Sequence, residues 1–198
     1  MRSMTEQQAL ALMSEAGALL DGHFRLSSGL HSPRYLQCAV ALQHPPIAEQ
    51  LGAALAAQWQ AAGHPPPSLV VSPALGGLII GHEVGRGLGV RACFTERVDG
   101  VMTLRRGFHI QPGEEVLLVE DVITTGRSTQ ETAVAVGQAG GIPLGVACIA
   151  NRSGQPHLGD LLLLSLVQLD IPTFEPSACP LCAAGEEITK PGSRPAPS

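Results

Sequence analysis

The chain has 198 residues, a formal net charge of −5 and 44% hydrophobic residues, enough for one full core and a small appendage. The acidic balance argues against a nucleic-acid binder, which normally carries a basic face. No apolar run reaches the length of a membrane span, and the opening Met-Arg-Ser-Met-Thr-Glu lacks the apolar stretch of a signal peptide, so a cytoplasmic protein without membrane contact is expected.

Thr5 to Leu20 reads as a helix. Thr5 and Gln8 have capping-box spacing, and Leu10, Met13, Ala16, Leu19 and Leu20 share a face. Alternation in Phe24–Leu26 and Tyr35–Val40 predicts two short strands around a Ser-Ser-Gly turn. Pro45 and Pro46 open a second helix that turns Ile47, Leu51, Leu55 and Trp59 to the core and stops at Gly63. From Ser68 the rhythm becomes strand, helix, strand, helix. Strands are expected at Leu69–Ser72, Val90–Phe94, Val116–Val119, Leu144–Ala150 and Leu161–Leu166, with helices at Leu78–Leu88 and Thr129–Ala139. Residues 95–113 look polar and irregular. This alternation predicts an α/β fold with a parallel sheet and helices on both faces. The Pro- and Ser-rich tail, 191–198, is expected to be disordered.

Basic residues are nearly all arginine, and the only lysine is Lys190. Of the five cysteines, Cys38, Cys93 and Cys148 sit in apolar company and read as small core residues. Cys179 and Cys182 form one Cys-Pro-Leu-Cys. A structural zinc site normally takes four ligands, and no second such pair exists in the sequence. The segment therefore reads first as a turn, with metal or redox use, completed across a dimer, as the lesser reading.

Residues 116–128, Val-Leu-Leu-Val-Glu-Asp-Val-Ile-Thr-Thr-Gly-Arg-Ser, are the most informative run. An unbroken apolar strand suits burial on both faces, and ligands of open α/β sheets sit beyond the carboxyl ends of strands. Two acids there, Glu120 and Asp121, need hydroxyls, a metal or cations, because desolvating unpaired charge is expensive. Thr124 to Ser128 offer successive amides and hydroxyls at a helix N-terminus, a setting that favours phosphate.

This run resembles the phosphoribosyl-pyrophosphate (PRPP) signature of type I phosphoribosyltransferases. Phe24-Arg-Leu-Ser-Ser-Gly-Leu-His-Ser-Pro-Arg-Tyr35 resembles the N-terminal segment of the orotate branch of that family, and Ser72-Pro-Ala-Leu-Gly-Gly77 its pyrophosphate loop. The resemblance implies a type I phosphoribosyltransferase-like fold, with a mostly parallel central sheet and a small hood built from the N-terminal segment. One domain is expected over 1–190, with the hood at about 1–44 plus part of the C-terminus and the core at about 45–170. It also implies transfer of the 5-phosphoribosyl group from PRPP to orotate, with Mg²⁺, giving orotidine 5′-monophosphate and pyrophosphate in pyrimidine synthesis. Glu120, Asp121 and Arg97 are the implied catalytic residues. PRPP would be held by Glu120, Asp121, Val122, Ile123, Thr124, Thr125, Gly126, Arg127, Ser128, Gly76, Gly77 and Arg105. Orotate would be held by Thr124, Arg152, Ser28 and Gly29, with backbone help from Ser27. No direct protein ligand to Mg²⁺ is expected. The ion would bind through PRPP, near Asp121. Residues 95–113 would form a loop that reaches the partner's site in a homodimer.

The chain departs from the orotate pattern in its cations. Where that family places lysines, it has Ser27, Gly76 and Arg97, and no histidine lies between Glu96 and Gly107. The grip on pyrophosphate then falls to Arg97, Arg105, Arg106, Mg²⁺ or backbone amides. Arginine supplies the charge but not the geometry of lysine. Two other readings use the same PRPP site: a purine or xanthine phosphoribosyltransferase, and a PRPP-sensing regulator.

Overall fold

The computed structural model describes residues 4–26 and 28–190. Ser27 and the tail at 191–198 lie outside the described residues.

Helix α1, Glu6–Glu15, starts on the expected capping box. The Thr5 hydroxyl accepts the Gln8 N–H at 3.3 Å, and the Gln8 side chain accepts the Thr5 N–H at 2.9 Å. It stops five residues short of the predicted Leu20. Gly17 adopts φ 71°, the Gly17 N–H donates to the Ser14 carbonyl and the Ala18 N–H to that of Met13. This double closure ends a helix at a left-handed residue. It frees Leu19–Arg25 to form β1, which pairs antiparallel with β2, His31–Leu36. The second strand also ends early. Cys38–Leu42 is the short helix α2, which buries Cys38, Ala41 and Leu42, a helical rather than an alternating pattern. Helix α3, Pro45–Ala61, buries Leu51, Leu55 and Trp59 and leaves Ile47 half-buried at its start.

The core follows the predicted alternation. In order come β3 (Leu69–Pro73), α4 (Gly77–Leu88), β4 (Arg91–Val98), β5 (Val101–Leu104), β6 (Glu115–Ile123), α5 (Arg127–Gln138), β7 (Ile142–Asn151), β8 (His157–Leu158) and β9 (Leu161–Gln168). They form one sheet of order β5-β4-β3-β6-β7-β9-β8. Its central pairs are parallel, while β4–β5 and β8–β9 are antiparallel. Side chains alternate across it. Val70, Leu117, Val119, Ala147 and Ile149 join Trp59 of α3 and Ile80 and Val84 of α4. Leu69, Val71, Leu118, Val146 and Cys148 join Val136 of α5 on the opposite face. Burial on both sides explains why these strands read as continuous apolar runs. Cys38, Cys93 and Cys148 are all buried.

Residues 95–113 correct the sequence reading. Strand β4 runs on to Val98, Asp99 (φ 49°) and Gly100 (φ 85°) turn the chain, and β5 returns antiparallel. Two residues with positive φ, the second glycine, are the mark of a tight hairpin turn. Glu96 and Arg97 hid the strand because this hairpin lies at the sheet edge, where charged side chains are normal.

After β9 the chain returns to the β1–β2 hairpin. Phe174 bridges His31, and Thr189 bridges Phe24. No helix among the described residues is long and apolar enough to cross a membrane.

Candidate active site

Strand β6 lies in mid-sheet between β3 and β7 and carries both acids near its carboxyl end. Glu120 is buried, only 8% exposed, and Asp121 is half-buried. The Asp121 N–H donates to Glu120 Oε1 at 3.2 Å, and the Val122 N–H to Asp121 Oδ1 at 2.8 Å. Burial, and next the neighbouring Asp121, push the Glu120 carboxyl well above the usual carboxylate range. Burial also pushes Asp121 up. Among the described residues neither acid is ion-paired with a cationic side chain. The pair is thus built to receive positive charge or hydroxyl donors from outside.

The segment after β3 presses against this pair. A Cβ on Gly76 would lie 2.7 Å from Asp121 Oδ1. One on Gly77 would lie 2.8 Å from Ser72 Cβ and 3.2 Å from Glu120 Oε1. Only glycine allows the backbone so close. The fold therefore unites Gly76, Gly77, Glu120 and Asp121 from segments more than forty residues apart in sequence.

Beyond β6, Thr124 to Gly126 turn into α5. Gly126 stands at φ 71°, a conformation that favours glycine, and a Cβ there would also push the Leu158 side chain aside, meeting its Cδ1 at 2.1 Å. No side chain caps α5, which leaves its first amides for a ligand. A cleft of about 90 Å³ is lined by Glu120 and residues 122–129. A larger one, about 590 Å³, runs along α1, with Glu15 as its only charged lining residue, and has no paired chemical groups. Arg127 Nε bonds Glu131 Oε1 at 2.8 Å.

Strand β7 delivers Arg152 next to this turn. The Arg152 N–H donates to the Ile123 carbonyl at 2.7 Å. Its side-chain Nε is buried without a hydrogen-bond partner, and burial lowers the guanidinium pKa. Asn151, which sequence reasoning passed over, shapes the following loop. Its amide donates to the Gln155 carbonyl at 2.8 Å, and its oxygen accepts from Ser153 N–H and Oγ at 2.9 and 2.7 Å. An Asn closing a strand before Ser and Gly is a recognisable turn signal.

The expected loop cations are engaged elsewhere. Arg97 pairs with Glu131 and donates to the Gly100 carbonyl at 2.6 Å. Arg105 and Arg106 face Glu96 at 3.8 and 3.0 Å. Ser28 and Gly29 lie in the β1–β2 turn, where the Ser28 hydroxyl accepts the Leu30 N–H at 3.4 Å and Gly29 stands at φ 89°. Sequence reasoning also missed a cluster of His23 and His31 with Cys179 and Cys182. Histidines placed either side of a turn carry no metal-binding spacing by themselves.

No family model matches the chain. The structure of a phosphoribosyltransferase from Corynebacterium diphtheriae superposes with a TM-score of 0.67 at 21% identity, covering 83% of this chain and 96% of that one. Sheet order, acid pair and capless phosphate-type turn together define a type I phosphoribosyltransferase fold. Among curated proteins, the orotate phosphoribosyltransferase of Pelotomaculum thermopropionicum is 48% identical over 192 residues, covering 96% of this chain and 99% of its own. That of Rhizorhabdus wittichii is 50% identical over 192 residues, covering 96% and 97%. The chain belongs to the orotate phosphoribosyltransferase family.

Proposed function

We propose that the protein transfers the 5-phosphoribosyl group of PRPP to orotate, forming orotidine 5′-monophosphate and pyrophosphate in pyrimidine biosynthesis. The observation that carries this is a half-buried guanidinium, Arg152, whose Nε has no partner, one strand away from an uncapped phosphate-type turn and an acid pair with no cation. Such a cation fits a carboxylate, and orotate brings one. Thr124, Ser28 and Gly29 would complete the contacts to the base.

The ring nitrogen of orotate forms the new bond to the anomeric carbon as the bond to pyrophosphate oxygen breaks. Positive charge grows on the ribose, as in glycoside cleavage. Glu120 and Asp121 would hold the ribose hydroxyls and favour that charge. Residues 122–128 would wrap the 5′-phosphate, which does not react, so its binding positions the reacting carbon. Gly76 and Gly77 would bring backbone amides to pyrophosphate. Mg²⁺ fits a site with one buried and one half-buried carboxylate lacking a cation, and when bound it would supply neutralising charge for the departing pyrophosphate. It would be held mainly through PRPP, near Asp121.

The working unit is a homodimer whose residues 95–113 reach the partner's site, with Arg97, Arg105 and Arg106 released from Glu131 and Glu96 to meet pyrophosphate. Acting on highly charged substrates that do not cross a bilayer unaided, the protein would work in the cytoplasm. The test is loss of orotate absorbance in the ultraviolet, with PRPP and Mg²⁺ each omitted in turn, beside hypoxanthine, xanthine, adenine and uracil. Orotate loss that needs both supports the proposal. Turnover of another base instead would move the specificity, and no turnover of any base would remove the activity.

A further inference from the structure

His23, His31, Cys179 and Cys182 meet in one place although they come from opposite ends of the chain. His23 lies in β1 and His31 in β2. Cys179 and Cys182 lie in a Cys-Pro-Leu-Cys at the start of helix α6, Pro180–Ala183. Their ligand atoms all fall within 4.8 Å of one another. His23 Nε2 is 3.0 Å from His31 Nδ1, 3.5 Å from Cys179 Sγ and 3.7 Å from Cys182 Sγ. Cys182 Sγ is 3.3 Å from His31 Nδ1. Four ligands at zinc bond lengths on the corners of a tetrahedron stand about 3.3–3.8 Å apart, so the cluster is at or near that size.

Hydrogen bonding alone does not explain this meeting. His23 Nδ1 lies 3.0 Å from the Glu186 carbonyl, which can only accept, so a neutral His23 carries its proton there and offers a bare lone pair at Nε2. One proton can bridge only one of the three contacts that Nε2 makes. A cation at the centre satisfies all four groups. The Glu186 carbonyl then acts as the outer partner that fixes ring and tautomer, as metal-bound histidines usually have. Charge agrees too: two thiolates and two neutral imidazoles around a divalent cation sum to zero, the only balance suited to a site where His23, His31 and Cys179 are each under 5% exposed.

The C-terminal segment needs such a fastening. From residue 172 to 190 Cys179 is the one buried residue. Four backbone hydrogen bonds to His23, Arg25 and His31 stitch its ends to the hairpin, but almost no apolar area is hidden there to offset the entropy of ordering it.

We propose that these four residues form a structural zinc site that clamps the C-terminal segment onto the β1–β2 hairpin. Nitrogen and sulfur ligands in a closed tetrahedral set favour zinc over magnesium or calcium. The inference is independent of the catalytic reading, and its readouts do not involve activity.

The full-length protein, purified under reducing conditions, should contain about one zinc per chain by elemental analysis. Cys179→Ser and Cys182→Ser should each lower this by more than about tenfold. Should those variants fail to fold, Co²⁺ exchanged into the unmodified protein provides the second measurement. Intense visible bands of tetrahedral, thiolate-bound cobalt are expected, bleached by added Zn²⁺. Folded, reduced protein that holds no zinc and gives no such bands would overturn the proposal, as would a Cys179–Cys182 disulfide in the freshly isolated protein.

Discussion

Glu120 and Asp121 are held where both cannot be comfortably ionised without a ligand. Glu120→Gln separates that burden from catalysis. The folded pKa of Glu120 is raised, so the folded state binds its proton more tightly than the unfolded chain. The stability this gives is present below the ordinary carboxylate pKa, about 4.3. It is lost as pH climbs from there through the raised folded value. The ligand-free Glu120→Gln protein should therefore be more stable than the parent at pH 7–8, by on the order of 1–3 kcal/mol. The gain should vanish near pH 4, and its activity should fall. Thermal melts across this range decide it, and a gain that is constant with pH would mean that the folded pKa of Glu120 is not raised. Arg152→Ala removes the unpartnered guanidinium. The Michaelis constant for orotate should rise roughly ten- to a hundredfold, the scale of one charge-assisted pair, with that for PRPP nearly unchanged. Equal effects on both would move Arg152 away from the base. The acid pair and the turn were legible because their signals are contiguous: acids, phosphate-type turn and strand lie within thirteen residues. The His23–Cys179 contact joins positions 156 apart, and no local spacing encodes it.

At the scale of elements, strict local chemistry decided what could be read. The capping box of α1, the double proline of α3 and the apolar runs of β3, β6 and β7 all announce themselves. The β4–β5 hairpin did not, since its strands mix charge with apolar residues at an edge, and its one clear sign was Asp99-Gly100. Close packing between α3 and α4 was also invisible, because it depends on which glycines face each other. A Cβ on Gly52 would stand 2.4 Å from Glu83 Cβ and 2.7 Å from the Glu83 carbonyl carbon. Backbone cannot yield as a side-chain tip can. Gly52→Ala should cost about 1–3 kcal/mol by overpacking, lowering the melting temperature by roughly 2–4 °C per kcal/mol at this chain length. Michaelis constants for both substrates should stay at the parent values. An unchanged melting temperature would show that the two helices can move apart freely.

For the whole molecule, the decisive feature is a division between what sits on the rigid sheet and what hangs from its edge. The acid pair, the glycine pair and the Thr124–Ser128 turn are anchored by central strands buried on both faces. Arg105 and Arg106 follow the edge hairpin and are exposed, paired with Glu96 and, for Arg106, set over the Phe94 ring, and surface pairs of this kind hold weakly. If the site is assembled, as proposed, from the sheet of one protomer and the hairpin of its partner, it can be taken apart genetically. Asp121→Asn should lower turnover by about a hundredfold or more, and a combined Arg105→Ala, Arg106→Ala variant should also be nearly inactive. In the proposed homodimer, each inactive variant would lack the same half of both its sites. When the two variants are unfolded together and refolded as a mixture, half of the dimers are hybrids. In each hybrid, one site receives both intact halves and the other receives neither. Activity should therefore return to about a quarter of the parent value per chain. If each site is built within a single chain, no mixture can restore it, and the refolded activity stays at the level of the separate variants.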